Sequence, residues 1–237
     1  RVLFRSNIYV YDRAKNENGD HLINDDGYYV IDKSKYVKVG NIMPKATGGW
    51  SNTIMYNNLS LDFTLDYRFG GKMVSTPTKY ATGAGMFENT MKYRDAEHGG
   101  LTFTDDYGTW NDGVLLNGVN ANTGAKNTKV IGAADYYMNT YGWGYDAWNE
   151  DGAIFDNSFI KMREISLAYR VPSKVTSKLG LNNLRVSVIG RNLFYVWKTL
   201  ENVDPEAPLG NKWWSQGIDV GSTAASRSFG ISINANF

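Results

Sequence analysis

The sequence predicts an all-β fold of one kind: consecutive antiparallel strands of a transmembrane β-barrel wall, carrying long loops at one end. Three observations predict it. Segments in the middle and at the end of the chain alternate apolar and polar residues in strict period two. The composition is rich in strand, interface and turn residues, with 16 Tyr, 10 Phe, 7 Trp and 25 Gly in 237 residues. Connections between the alternating segments are short and long by turns, as in barrels with short periplasmic turns and long outer loops.

Composition excludes several alternatives. With 42% hydrophobic and 21% charged residues the chain is not compositionally disordered. A net charge of +1 gives no electrostatic footprint for nucleic acid. The absence of cysteine removes disulfides, thiolate zinc sites and a cysteine nucleophile, and suits passage through an oxidising periplasm. No run of about 18 apolar residues is present, so no transmembrane helix is expected. A membrane barrel escapes that test, because only every second residue faces lipid.

Taken in order, Arg1 to Ser6 read like the in-frame translation of a sequencing adapter, and residues 1–6 are set aside. Residues 7–237 are read as the barrel portion. A first, weaker strand is expected near 7–12. After a long loop over 13–47, Gly48 to Tyr56 forms a strand with Trp50, Ile54 and Tyr56 on one side. Asn57-Asn58 then makes a tight turn. The next strand, 59–76, opens with Leu59, Leu61, Phe63, Leu65, Tyr67 and Phe69 alternating with Ser60, Asp62, Thr64, Asp66 and Arg68. A helix would mix these two sets on every face. A second long loop covers 77–157. Strands at 158–171 and 183–197 follow, joined by the modest connection Pro172 to Leu181. The third long loop is 198–225. The last strand, 226–237, alternates Phe229, Ile231, Ile233, Ala235 and Phe237 with small polar residues; about nine tilted residues cross a bilayer core. Alternation alone fits a secreted carbohydrate-binding β-sandwich equally well. The parity of loop lengths and the terminal strand favour the barrel.

Four stretches resemble the SusC/RagA-type family of TonB-linked outer-membrane receptors. They are Gly49 to Thr53 leading through Tyr56 to Leu61 and on to Gly70-Gly71-Lys72; Asn157 to Tyr169 followed by Pro172; Gly190-Arg191-Asn192-Leu193-Phe194 followed by Asp204-Pro205-Glu206; and Arg227 to Gly230 running into Phe237. Together they cover most of 42–76 and nearly all of 157–237, in the family's order. The resemblance implies the C-terminal strands of a barrel of about 22 strands. It implies a TonB complex as energy source and a SusD-type surface lipoprotein as partner. It implies import of glycan or peptide substrate across the bacterial outer membrane. An outer-membrane protein needs a secretory signal, so this reading expects a signal, a plug, a TonB box and the early strands upstream.

A terminal alternating strand ending in an aromatic residue also looks like the signal read by the barrel assembly machinery, carried by Gly230, Ile233, Ala235 and Phe237. Arg191-Asn192 is expected to be structural rather than a substrate contact, and Asp204-Pro205-Glu206 to fix the base of a loop. Trp213 and Trp214 are the best candidates for contact with ligand or lipoprotein lid, ahead of Trp110, Trp143 and Trp148. No enzyme signature, cofactor site or metal site is read. His21 and His98 lack metal-ligand spacing, and the Asn16, Asn18, Asp20 and 24–27 runs fail the calcium-loop spacing.

Overall fold

A computed structural model describes residues 6–142, 153–207 and 217–236. Its strands are β1 (Asn7–Arg13), β2 (Leu22–Ile23), β3 (Ile31–Asn41), β4 (Ala46–Tyr56), β5 (Leu59–Phe69), β6 (Lys72–Ser75), β7 (Leu101–Asp105) and β8 (Gly108–Leu115). They continue as β9 (Val119–Asn120), β10 (Val130–Gly132), β11 (Ile154–Asp156), β12 (Phe159–Arg170), β13 (Asn183–Lys198), β14 (Ile218–Asp219) and β15 (Ser228–Asn236). Two helices, α1 (Thr76–Gly83) and α2 (Ala133–Tyr141), lie between them. The described residues divide into two compact units, 6–42 with 73–142, 153–155 and 217–221, and 43–72 with 156–207 and 222–236.

The second unit is a five-stranded antiparallel sheet in the order β15-β13-β12-β5-β4. Each strand neighbours the previous sheet strand in sequence, so connections alternate between the two ends. Asn57-Asn58 and 171–182 close one end. The long connections 70–158 and 199–227 leave from the other, the arrangement expected from loop parity. Asn57 takes a left-handed φ of 51°, a conformation that Asn tolerates better than most residues. The 171–182 connection carries a one-turn helix, Ser173–Thr176, started by Pro172 and followed by Gly180 at φ 69°.

Directly opposed residues of a sheet share a face. Leu61 opposes Ile54 and Leu167, Leu167 opposes Val188, and Val188 opposes Ile231. This row is apolar from edge to edge, and it is exposed: Leu167 52%, Val188 55%, Ile231 74%. A sandwich would bury such a face under a second sheet. The other face carries Ser51, Thr53, Asp62, Thr64, Ser166, Ser187 and Ser232 in register, tied by Thr53 Oγ1 donating to Asp62 at 2.6 Å and by the Ser51–Thr64 hydroxyl pair at 2.9 Å. The sheet is open; β4 and β15 are its edges.

Several expected boundaries move. The strand read as 59–76 ends at Phe69, where Gly70 and Gly71 take φ of 73° and 84°. Residues 72–75 instead form β6, which pairs with β14 in parallel in the first unit's three-stranded sheet β11-β6-β14. The first strand, β1, pairs with β3 in a two-stranded sheet, and β3 lies within the segment read as loop 13–47. The loop read as 77–157 contains β7, β8 and β10 as a further sheet, together with α1 and α2. Ser75 caps α1 by accepting from the Thr78 amide at 3.3 Å, and Pro77 occupies its first turn. Ile23, Val114, Leu116, Ile131 and Ala133 form the main apolar core of this unit. Helix α1 meets the end of α2 backbone to backbone: a Cβ on Gly83 would lie 2.6 Å from Gly142 N.

Candidate functional site

The polar face of the second unit converges on the Asp204-Pro205-Glu206 turn. Pro205 supplies the fixed φ of a turn's second residue, and the Ala207 amide closes the turn on Asp204 O at 2.9 Å. The Asp204 carboxylate accepts from the Glu206 amide at 3.0 Å and from the Ala225 amide at 2.8 Å. It therefore ties the start of the 199–227 connection to its end.

The wall holds this turn through charged side chains. Arg163 of β12 donates from Nη2 to Glu206 Oε1 at 2.6 Å, from Nε to Asp66 of β5 at 2.6 Å, and from Nη1 to Asn192 of β13 at 2.7 Å. Lys161 pairs with the other Glu206 oxygen and lies over the Tyr195 ring, 4.8 Å from its centroid; only 2% of the residue is exposed. Tyr195 Oη donates to Asp204 at 2.5 Å, and Asn157 Nδ2 donates to Pro205 O at 2.9 Å. Burial works against the Glu206 carboxylate, but Arg163 and Lys161 outweigh it and hold its pKa below the ordinary value. Asp204 is likewise desolvated, and its bonds from Tyr195, Ala225 and Glu206 hold it low. Both remain ionised near neutral pH, so the arrangement is a fixed ionic clasp with no proton to exchange.

A bulge makes the clasp possible. Met162 opposes Leu65 while Glu164 opposes Thr64, so Arg163 is an extra residue in β12. Counting by twos from Ile165 would send Arg163 and Lys161 to the apolar face; the bulge turns both inward. On β13 the register also breaks between Met162 and Glu164, where Asn192 takes a left-handed φ of 53°.

The residues singled out in sequence divide accordingly. Arg191 pairs with Glu164 at 2.6 Å in an exposed ion pair, and Asn192 accepts from Arg163. Leu193 packs so closely on Gly190 that a Cβ there would lie 2.9 Å from its methyls. Phe194 is half exposed and opposes Met162 on the apolar face. Ile233 and Ala235 oppose Val186 and Leu184 on that face; Gly230 opposes Ile189 on the other. Trp110 Nε1 donates to Asp105 at 3.0 Å. Phe237, Trp143, Trp148, Trp213 and Trp214 lie outside the described residues, as do residues 1–5. Arg163, Lys161, Tyr195 and Asp66 were not singled out. The available signal was a basic pair at alternate positions that break an otherwise apolar phase. Among the described residues no group of three or more His, Cys, Asp or Glu could hold a metal ion.

An open antiparallel sheet with one apolar exposed face and one charged, hydrogen-bonded face has the make-up of a segment of membrane barrel wall. The comparisons agree. The chain is 23% identical over 204 residues to TonB-dependent receptor P3 of Formosa agariphila, covering 84% of this chain and 17% of that receptor. It shares its fold with part of a chain of the RagAB peptide importer in the 'closed-closed' state, with a TM-score of 0.56 at 15% identity, covering 95% of this chain and 22% of that one. The 'open-open' state gives a TM-score of 0.55 at 16% identity, covering 97% and 22%. No protein-family model matches. Sequence and fold together bear out the resemblance to SusC/RagA-type TonB-linked receptors. The chain spans about a fifth of the relatives it matches.

Proposed function

We propose that this chain is the C-terminal part of the barrel of a TonB-dependent importer of nutrients in the bacterial outer membrane. The observation that carries the reading is the two-faced sheet. The row Ile54, Leu61, Leu167, Val188, Ile231 meets lipid, and the row headed by Asp62 and Ser166 meets a wet lumen. Long connections at one end of the sheet would be the outer loops, and the clasp on Glu206 would hold one of them against the wall.

In this reading the complete barrel has about 22 strands, is energised by TonB through a region upstream, and works with a SusD-type surface lipoprotein. Its substrates are oligomers, glycan or peptide. The protein is a transporter and carries no chemistry of its own. The strand that holds Gly230, Ile233 and Ala235 and leads to Phe237 would address the barrel assembly machinery.

Fractionation and heat-dependent gel mobility of the parent protein test the barrel. A membrane-embedded species that migrates faster unboiled is expected. A water-soluble parent with Leu61, Phe63 and Ile233 buried would favour the secreted sandwich. Growth of a deletion strain on single glycans or peptides tests import; undiminished growth on every one would leave a structural barrel.

A further inference from the structure

The two ends of the second unit's sheet differ in charge. At the long-connection end Lys161, Arg163 and Arg191 each meet a carboxylate, from Glu206, Asp66 or Glu164. At the short-turn end the balance is one-sided. From Ile165 to Leu200 the sequence has six basic residues and no acidic one, and Arg170, Lys174, Lys178 and Arg185 belong to this end. Arg185 reaches Asp62 at 3.4 Å. Asp62 already accepts from Thr53 at 2.6 Å and from Ser60 at 3.2 Å. The side chains of Arg170, Lys174 and Lys178 are exposed and have no ion-pair or hydrogen-bond partner among the described residues. Arg170 also stands directly opposite Arg185, a pairing that like charges disfavour.

The connection 171–182 presents its lysines from a fixed mount. Its helix, Ser173–Thr176, continues into a 3-10 turn, Ser177–Leu179. Lys174 and Lys178, four residues apart, project from one side of it. The Val171 amide donates to Leu184 O at 2.9 Å, the Asn182 amide to Asn236 O at 2.8 Å, and the Arg170 amide to Asn58 O at 2.8 Å. Both ends of the connection are thus tied to the wall. Beside it runs the apolar row Tyr56, Leu59, Tyr169, Val186 and Ile233, in register across all five strands. Its two tyrosines are exposed, as is Val175 between the lysines.

Exposed tyrosines ending an apolar face mark the depth at which a bilayer's headgroups begin. Cations on long apolar stems just beyond them suit headgroups that carry negative charge. A specific protein partner calls for about 800 Å² on each side, more than one short connection offers, whereas a phosphate needs one or two cations. We propose that the 171–182 connection docks on anionic phospholipid headgroups of the periplasmic leaflet, with Lys174 and Lys178 facing the phosphates. The inference rests on the barrel reading and adds a lipid contact to it.

The test uses the intact receptor, carrying a dye through Ser177→Cys, in phosphatidylcholine vesicles. The dye is quenched by nitroxide-labelled phosphatidylglycerol or, separately, by phosphatidylcholine with the same labelled chain, so their ratio reads the headgroup. Half-quenching by phosphatidylglycerol is expected at a mole fraction about fivefold lower, the preference of roughly one cation near an anionic surface. Lys174→Gln with Lys178→Gln should bring the two lipids level, and so should 1 M salt, where the screening length is about 3 Å. Lys174→Arg with Lys178→Arg should keep the preference, as should Lys198→Gln at the other end of the sheet. Equal quenching in the starting protein overturns the proposal, and so does a preference that survives in the paired Gln variant. A photocrosslinker on the same cysteine in native outer membranes should label lipid; labelling of an acidic protein in its place assigns the turn to that partner and overturns the proposal as well. The two readings fail differently. A receptor quenched equally by both lipids keeps the barrel and loses this dock, whereas a water-soluble parent that neither lipid quenches loses both.

Discussion

Arg163 Nη2 donates to Glu206 Oε1 across 2.6 Å, joining a wall strand to a loop that begins after the next strand has been completed. The same guanidinium reaches Asp66 and Asn192, so one side chain fastens three wall strands and the loop.

Removing the Glu206 charge leaves the buried Lys161 without its ion-pair partner and leaves Arg163 with Asp66 as its one carboxylate among the described residues. Glu206→Gln in the full receptor is expected to destabilise the loop by about 3 kcal/mol, the usual cost of breaking a shielded pair. Limited proteolysis should then cut within 199–227 well before the wall. Unchanged protection of that segment would contradict the clasp.

Protonation should release the same loop, and the sign follows from the lowered carboxylates. A group with a depressed native pKa stabilises fully above its unfolded value, 4.5 for Glu206 and 3.8 for Asp204, and loses that contribution as pH falls through the native value. A dye attached through Asn202→Cys should show constant anisotropy from pH 7 to about 4.5 and a fall below it. A fall centred near pH 6 would point to another group.

Asn192 combines a left-handed backbone with a bond to Arg163. Asn192→Ala should cost both, about 1–2 kcal/mol of backbone strain and about 1.5–3 kcal/mol for a bond to a charged group. Asn192→Gly should cost only the second. Equal losses in thermal denaturation of the two variants would remove the strain argument.

The two faces are distinguishable by charge. Val188→Arg on the apolar face is expected to cost about 2–4 kcal/mol near a bilayer midplane and to lower the heat-modifiable folded fraction. Ser232→Arg, in the next strand on the polar face, should leave that fraction near wild type. The opposite order would invert the assignment of lipid and lumen.

Deleting Phe237 from the full protein should reduce barrel insertion, with the unfolded form accumulating in the periplasm. Insertion at the wild-type rate would leave the final strand as wall and nothing more.

Much of the sheet was legible because β5, the latter part of β12 and β15 hold their phase residue by residue. β3 was not, because Lys33, Lys35 and Lys38 dilute the alternation of Ile31, Tyr36, Val37 and Val39. The loop helices are short and carry mixed residues; Ser75 followed by Pro77 was the one readable start signal. Asp204-Pro205-Glu206 was visible as a turn, yet its partners were hidden. A period of two assigns Arg163 to the wrong side, and only the register of neighbouring strands reveals the extra residue.

That extra residue has a consequence for how this wall tolerates change. Everything from Phe159 to Met162 owes its orientation to a count rather than to its own chemistry. Pairing Arg163 as an ordinary strand residue would hand Lys161 to the hydrocarbon and turn Ile160 and Met162 toward water. Excising it would instead straighten the strand, keep all four neighbours in phase and remove only the guanidinium that grips Glu206.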